Sequence, residues 1–445
     1  MWCTAGGRLG IKRQPPVAER GNMEEKDLQG YKCPNCGAPL VYKGDVQKMV
    51  CEYCDSTFEM SEFSEDTRHK DAPTDWTTVD NGTIESEGMS EYICESCGAA
   101  LITQETTGAT ECPYCGNPIV VSATFSGMNL PDAVLPFKVD KKSATDALKN
   151  FYKGKKLLPN GFVDSNHIDN ISGLYVPFWL FDCKANGSGF YNATIEKDKG
   201  DQKEIKEYKV MRSASMRFEN VPADGSKEMK DEYMDSIEPF NFKELTDYNP
   251  AYLSGYVANK YDENQDAVKD RVDSRMRDTV RSELRSTVNG YTSVSEQSCN
   301  VDFEDAVIRY CMLPVWMLST RYKGEVYSFA MNGQTGKVTG DLPIDNGKKV
   351  GMFVTTSIIS FVIMAILYAI GIALLGIEFS MITIAVAIFV ALLIGGLVTG
   401  AEVHKMTAHK GTSAAAYLVK DSFKLTGKND RLVRTRYVKK NNGSN

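Results

Sequence analysis

Eight of the twelve cysteines in this 445-residue chain are committed to one pattern written twice. Cys33, Cys36, Cys51 and Cys54 read C-x2-C-x14-C-x2-C, and Cys94, Cys97, Cys112 and Cys115 repeat that spacing 61 residues later. The match extends to Tyr31/Tyr92, Gly37/Gly98, Ala38/Ala99, Leu40/Leu101 and Tyr53/Tyr114, so one small unit occurs in two copies. A CxxC turn sets two sulfurs on one side of a tight loop, with backbone amides aimed at them. Two such turns close a tetrahedron around one zinc, at Zn–S distances of about 2.3 Å, and leave no position for water. The residue after the second cysteine of a turn needs left-handed backbone, which suits Gly37, Gly98 and Gly116; Asp55 stands there in one turn and tolerates it. A unit this small buries too little apolar surface to fold alone, so the metal supplies most of its stability.

Other uses of the thiols fit less well. Disulfides require an oxidising compartment, and the opening 22 residues hold no apolar run of the kind a secretory signal needs. A redox site uses one CxxC beside a βαβ unit, not four in matched pairs. Rubredoxin-type iron uses similar knuckles and stays open beside zinc. The expectation is two structural Zn2+ ions, one in a zinc ribbon at 31–60 and one in a second ribbon at 92–122, after a disordered extension at 1–30. Neither ribbon carries the basic footprint of a nucleic-acid binder: 31–60 has three Lys against four acids, and 92–121 has three Glu and no base. Between them, 61–91 has nine acids against two bases and reads as an acidic, solvated linker.

The far end of the chain is different. Val350 to Ala401 runs 52 residues with no Lys or Arg and Glu378 as its one acid. A membrane span takes about 20 apolar residues, so this stretch predicts two transmembrane helices, at 350–375 and 379–400, turning at Gly376-Ile377-Glu378. Lys348 and Lys349 precede the first, and Lys405 and Lys410 follow the second; the far loop has no base. The positive-inside rule then places both termini in the cytoplasm and the protein in the cell membrane, crossing twice. From Glu402 onward, ten Lys/Arg face three acids, against a net charge of −7 for the whole chain. That segment, 402–445, reads as a basic cytoplasmic tail drawn to anionic lipid.

Residues 130–345 read as an α+β domain. "AVLPFKVDKKSATDALKNFYKGK" is a strand followed by an amphipathic helix capped near Ser143, with Ala147, Leu148 and Phe151 on one face. "GLYVPFWLFDCKANGSGFYNATI" is a hairpin broken at a Gly/Asn turn, and "CMLPVWMLSTRYKGEVYSFAMNG" resembles it at an offset of 137, with Pro177/Pro314, Trp179/Trp316 and Gly187/Gly324 coinciding. These copies predict paired hairpins in one core, the tryptophans wedging it. Val268, Val272, Met276, Val280, Leu284 and Val288 mark a narrow apolar stripe on a long charged helix that covers the core. "NGQTGKVTG" departs from a phosphate loop at Met331 and Val338 and reads as a Gly-rich turn. No HExxH, GxSxG or HRD motif occurs; Asp164, His167 and Asp169 form a polar turn, and Cys183, Cys299 and Cys311 are isolated. The residues point to no catalytic set.

"CPNCG", "CPYCG", "LYVPFWLF", "FNFKELTDYNPAYLSGYVANKYD" and "WMLSTRYKGEVYSFAMNGQTGKVTGD" together resemble a family of bacterial zinc-ribbon membrane proteins, common in clostridia and their relatives. Its members are often labelled after transcription factor IIB or a primosomal helicase; without a Walker loop the second label brings no ATPase activity here. The resemblance implies zinc binding and membrane attachment, and no settled activity. The resulting expectation is a non-enzymatic membrane-anchored protein whose ribbons and α+β domain dock a protein partner. A membrane-tethered nucleic-acid binder or regulator is the alternative.

Overall fold

The computed structural model describes residues 31, 33–38, 40–63, 77–78, 89–93, 100–104, 110–111, 118–119, 130–162, 171–375, 381–408, 411 and 413–439. At its N-terminal end β1 (Leu40–Lys43), β2 (Lys48–Cys51) and β3 (Thr57–Phe58) form a small antiparallel sheet in that order. Helix α1 (Lys141–Tyr152) follows, with Asp140 as its N-cap: the carboxylate accepts from Ser143 N at 2.9 Å. The cap therefore lies three residues before the expected one, and Ala144, Leu148 and Tyr152 make the buried face.

The body of the protein is a large mixed sheet. Its long strands are β4 (Ser172–Lys199), β5 (Gln202–Asp224), β6 (Ser293–Tyr322), β7 (Glu325–Asn332) and β8 (Val338–Gly340). They pair antiparallel in the order β5-β4-β6-β7-β8, while short segments such as Ala133–Val134 and Val257–Asn259 add parallel pairings. The two Pro-x-Trp copies lie on neighbouring strands, Tyr175 opposite Pro314 and Trp179 opposite Tyr310. Both tryptophans are buried, and each N–H is satisfied by a carbonyl: Trp179 donates to Glu263 O and Trp316 to Val139 O. From Leu174 to Phe181 every residue of β4 is buried, because the sheet is covered on both faces. Past the bulge at Asp182 only alternate residues are, from Cys183 to Ala193.

The expected hairpin turn near Gly187 is not there. β4 runs straight through it and turns at Gly200, while its counterpart Gly324 does sit in a turn, between β6 and β7, at φ +89°. Gly187 is small for another reason. Helix α3 (Gln265–Ser286) lies across this face, and a Cβ at Gly187 would meet Val280 Cγ1 at 2.5 Å. The stripe Val268, Val272, Met276, Val280 and Leu284 is buried as its spacing implies. Arg275 is buried with it.

That arginine belongs to a charge cluster that the sequence does not advertise. Arg275 pairs with Glu238 at 2.5 Å and reaches Asp235 at 3.4 Å; Arg271 holds Asp224 at 2.7 Å and also contacts Asp231. These acids flank or lie on α2 (Asp231–Ile237), so two guanidiniums clamp α3 to α2 and to the end of β5. Four carboxyls share two cations, and burial pushes Asp224 and Glu238 up to about 7 against the pull of Arg271 and Arg275.

Helices α4 (Asn346–Leu375) and α5 (Met381–His404) are long and apolar, and most of their Leu, Ile and Val side chains are exposed. They touch where Gly395 leaves room for Ser357. Their bases are tied to the domain: Lys348 Nζ donates to Leu158 O at 2.6 Å, and Leu342 N to Met406 O at 2.8 Å. Beyond them the reading of a tail needs correction. Lys424–Lys439 is a strand, β9, paired antiparallel with β5 from Ser215 to Gln202. Its anchor is Arg212, fully buried on β5 and bound by both oxygens of Asp430. The linker reading also changes in part, since Thr77–Thr78 pairs with Val307–Ile308 of β6.

Candidate metal centre

Both turns of the first ribbon have the same backbone. Gly37 N donates to Cys33 O at 2.8 Å and Asp55 N to Cys51 O at 2.9 Å, with Gly37 at φ +75° and Asp55 at +56°. The left-handed residue closes each knuckle and swings the sulfurs inward. Cys33 Sγ and Cys54 Sγ are 3.6 Å apart, Cys36 Sγ and Cys51 Sγ 3.5 Å, and all four sulfurs lie within 4.8 Å of one another. A disulfide would need about 2.05 Å; a zinc tetrahedron with sulfurs at about 2.3 Å has edges near 3.8 Å. The cluster is consistent with a zinc site, two of its sulfurs on buried cysteines and two on exposed ones.

Neighbouring groups prepare the charge. Hydrogen bonds from the Ser56 hydroxyl and from its backbone hold the Cys54 thiol down at about 6, and Asn35 Nδ2 fixes that hydroxyl at 2.8 Å. At Cys36 the Ala38 backbone N–H favours the thiolate, yet the thiols of Cys51 and Cys54 push it up to about 12. Thiolates crowded this closely repel each other, and a bound cation relieves that repulsion. Ser56 and Asn35 carry no motif of their own, and the reading by spacing missed them.

Cys94, Cys97, Cys112 and Cys115 lie outside the described residues. The strands beside them do not. Tyr92 is paired with Leu101, Glu111 with Pro118 and Thr110 with Ile119. In the first ribbon Leu40 N donates to Tyr31 O, Val50 pairs with Thr57 and Met49 with Phe58. Each pairing is the other shifted by the 61 residues that separate the cysteine sets. Asp164, His167 and Asp169 also lie outside the described residues. The Gly-rich turn after Asn332 turns inward on itself: Asn332 is fully buried, and its Oδ1 takes the N–H groups of Gln334 and Thr335 that a phosphate would use. Cys183 and Cys311 are buried and Cys299 is half-buried; burial pushes the Cys183 thiol up to about 12.

The ribbon is seated on the domain. Tyr42 N donates to Ser254 O, the Ser254 hydroxyl donates to Leu40 O, and Gln47 Nε2 donates to Phe137 O at 2.7 Å. Gly255, at φ +86°, has no room for a Cβ because Val41 packs there. Beside this seam a cleft of about 480 Å3 is lined by Lys43, Asp45 and Glu52 from the ribbon and by Asp140, Lys141 and Trp316 from the domain. Its charges are of both signs and select no one ligand class.

Among curated proteins, the chain is 34% identical over 327 residues to a Bacillus subtilis (strain 168) protein described as uncharacterized protein YdjG; the match spans 73% of this chain and 92% of that relative. No family model and no solved structure matches the chain.

Proposed function

Because the chain belongs to the same family as Bacillus subtilis YdjG, whose description assigns no activity, we propose a function from its own residues: a non-enzymatic, membrane-anchored zinc protein that docks another protein. The observation that carries this reading is the convergence of Cys33, Cys36, Cys51 and Cys54 on one point. A shell of four thiolates has no open position, so its ion builds a surface rather than a reaction. That surface is fixed to the sheet through Ser254 and Gly255, which makes ribbon and domain one docking platform. The shared strand registers support a second, equivalent ion at Cys94, Cys97, Cys112 and Cys115. The exposed apolar surfaces of α4 and α5 support two membrane spans, with Lys348, Lys349 and Lys405 at their bases on the cytoplasmic side. The resemblance to clostridial zinc-ribbon membrane proteins implies zinc binding and membrane attachment as well.

Metal analysis combined with crosslinking mass spectrometry on membranes tests the proposal. The expected result is two zinc ions per chain and crosslinks from ribbon lysines such as Lys43 to a recurring partner. Metal-free protein with oxidised thiols, or clipping of the ribbons by protease added outside intact cells, would sink it. A tethered nucleic-acid binder is the second reading, drawn from the six Lys/Arg of β9; steep salt-dependent DNA binding by the purified protein would put it in place of the first.

A further inference from the structure

β9 ends the sheet on one side. Among the described residues no strand pairs with its outer edge, so alternate N–H and C=O groups along Lys424–Lys439 face outward. All its residues but Gly427 are exposed, including Leu425, Leu432, Val433, Tyr437 and Val438. An edge this long invites pairing with another chain, and its side chains restrict which one. Asp430 is the one acid of the strand and is held by Arg212. Arg434 and Arg436 share Glu207, whereas Lys424, Arg431 and Lys439 form no salt bridge among the described residues, and Lys428 acts on Asp430, already held by Arg212, only through its charge. A second copy of β9 laid against this edge would set cation against cation.

The strand's two faces decide between a lipid surface and a peptide. Residues opposite each other across a pair share a face. Lys428, opposite Arg212, therefore lies on the α3 side, while Arg431, opposite Lys209, and Arg434, opposite Glu207, lie on the other. A bilayer meets one face of a sheet; an added strand runs along the edge and reaches the side chains of both. Bulges at Val433 and Thr426 leave straight runs at 427–432 and 434–439, each long enough to register a short extended segment. We infer that β9 binds an extended, acidic segment of a partner protein, added to the sheet as its next strand, with carboxylates meeting Lys428, Arg431 and their neighbours. This rests on the docking function proposed above and names the chemistry of the partner.

The test uses the full chain in uncharged detergent and a fluorescent peptide of the repeat Glu-Glu-Val-Val, about eight residues long, which presents carboxylates on both faces of an added strand. Saturable binding is expected, with slowed hydrogen exchange confined to 424–439 and an affinity about tenfold lower in the Lys428→Glu/Arg431→Glu variant. A peptide with the same charges but Pro in place of Val keeps only the N–H donors of its Glu residues, cannot pair along a continuous edge, and is expected to bind far more weakly. Equal binding of the Pro peptide, protection elsewhere in the sheet, or binding only of phosphatidylglycerol vesicles or duplex DNA would each overturn the inference. If partners crosslink to the ribbons while β9 ignores the Glu–Val peptide, this inference fails and the docking function stands. If no partner crosslinks anywhere, the docking function fails too.

Discussion

Arg212 is the largest of the fully buried side chains among the described residues, and its carboxylate arrives from Asp430, 218 residues later in the chain. Neutralising one member of such a pair strands the other's charge. Asp430→Asn is expected to cost about 1–3 kcal/mol and to speed hydrogen exchange along β9 while the centre of β4 stays protected. Asp224 and Glu238 make a second prediction at this scale. Burial raises both to about 7, above the usual value near 4 that they regain on unfolding. The folded state therefore binds protons more tightly. The stability this contributes is complete below about pH 4 and is lost as pH climbs through 7. Thermal unfolding followed from pH 5 to pH 8 should show a falling midpoint that Asp224→Asn makes flatter. The sequence presented Arg271 and Arg275 as parts of a charged helix; nothing local marks one arginine as exposed and the next as buried.

At the scale of elements, the stripe on α3 was legible because a helix repeats its buried positions every three or four residues. The face of β4 that receives it was not. Gly187 was read as a turn, since a glycine in sequence records only that no side chain is present. In the fold that absence makes room for Val280. Gly187→Ala should destabilise the protein by about 1–3 kcal/mol, and adding Val280→Ala should restore part of the loss; denaturant midpoints of the single and double variants measure this. Removal of the clash by the second substitution separates close packing from backbone preference, because Gly187 sits within a regular strand.

The whole molecule joins a four-cysteine ribbon, a sheet and two apolar helices through a few specific seams. Stripping the metal with a chelator is expected to expose residues 31–63 to protease while the sheet from 172 to 332 survives, and Cys51→Ser should do the same in the presence of zinc; mass spectrometry of the digests reads both. The sequence alone determined the cysteine knuckles, the apolar helices and the α3 stripe. Each is a pattern within a few turns of chain, where spacing by itself sets geometry. Only the tertiary structure decided that the basic C-terminal segment is a strand, that Ser254 and Gly255 seat the ribbon, and that Arg275 lies buried, with Arg271 half-buried beside it, among carboxyls. Those outcomes depend on pairs of residues far apart in the chain, and the energy that fixes them exists only once the partner has arrived.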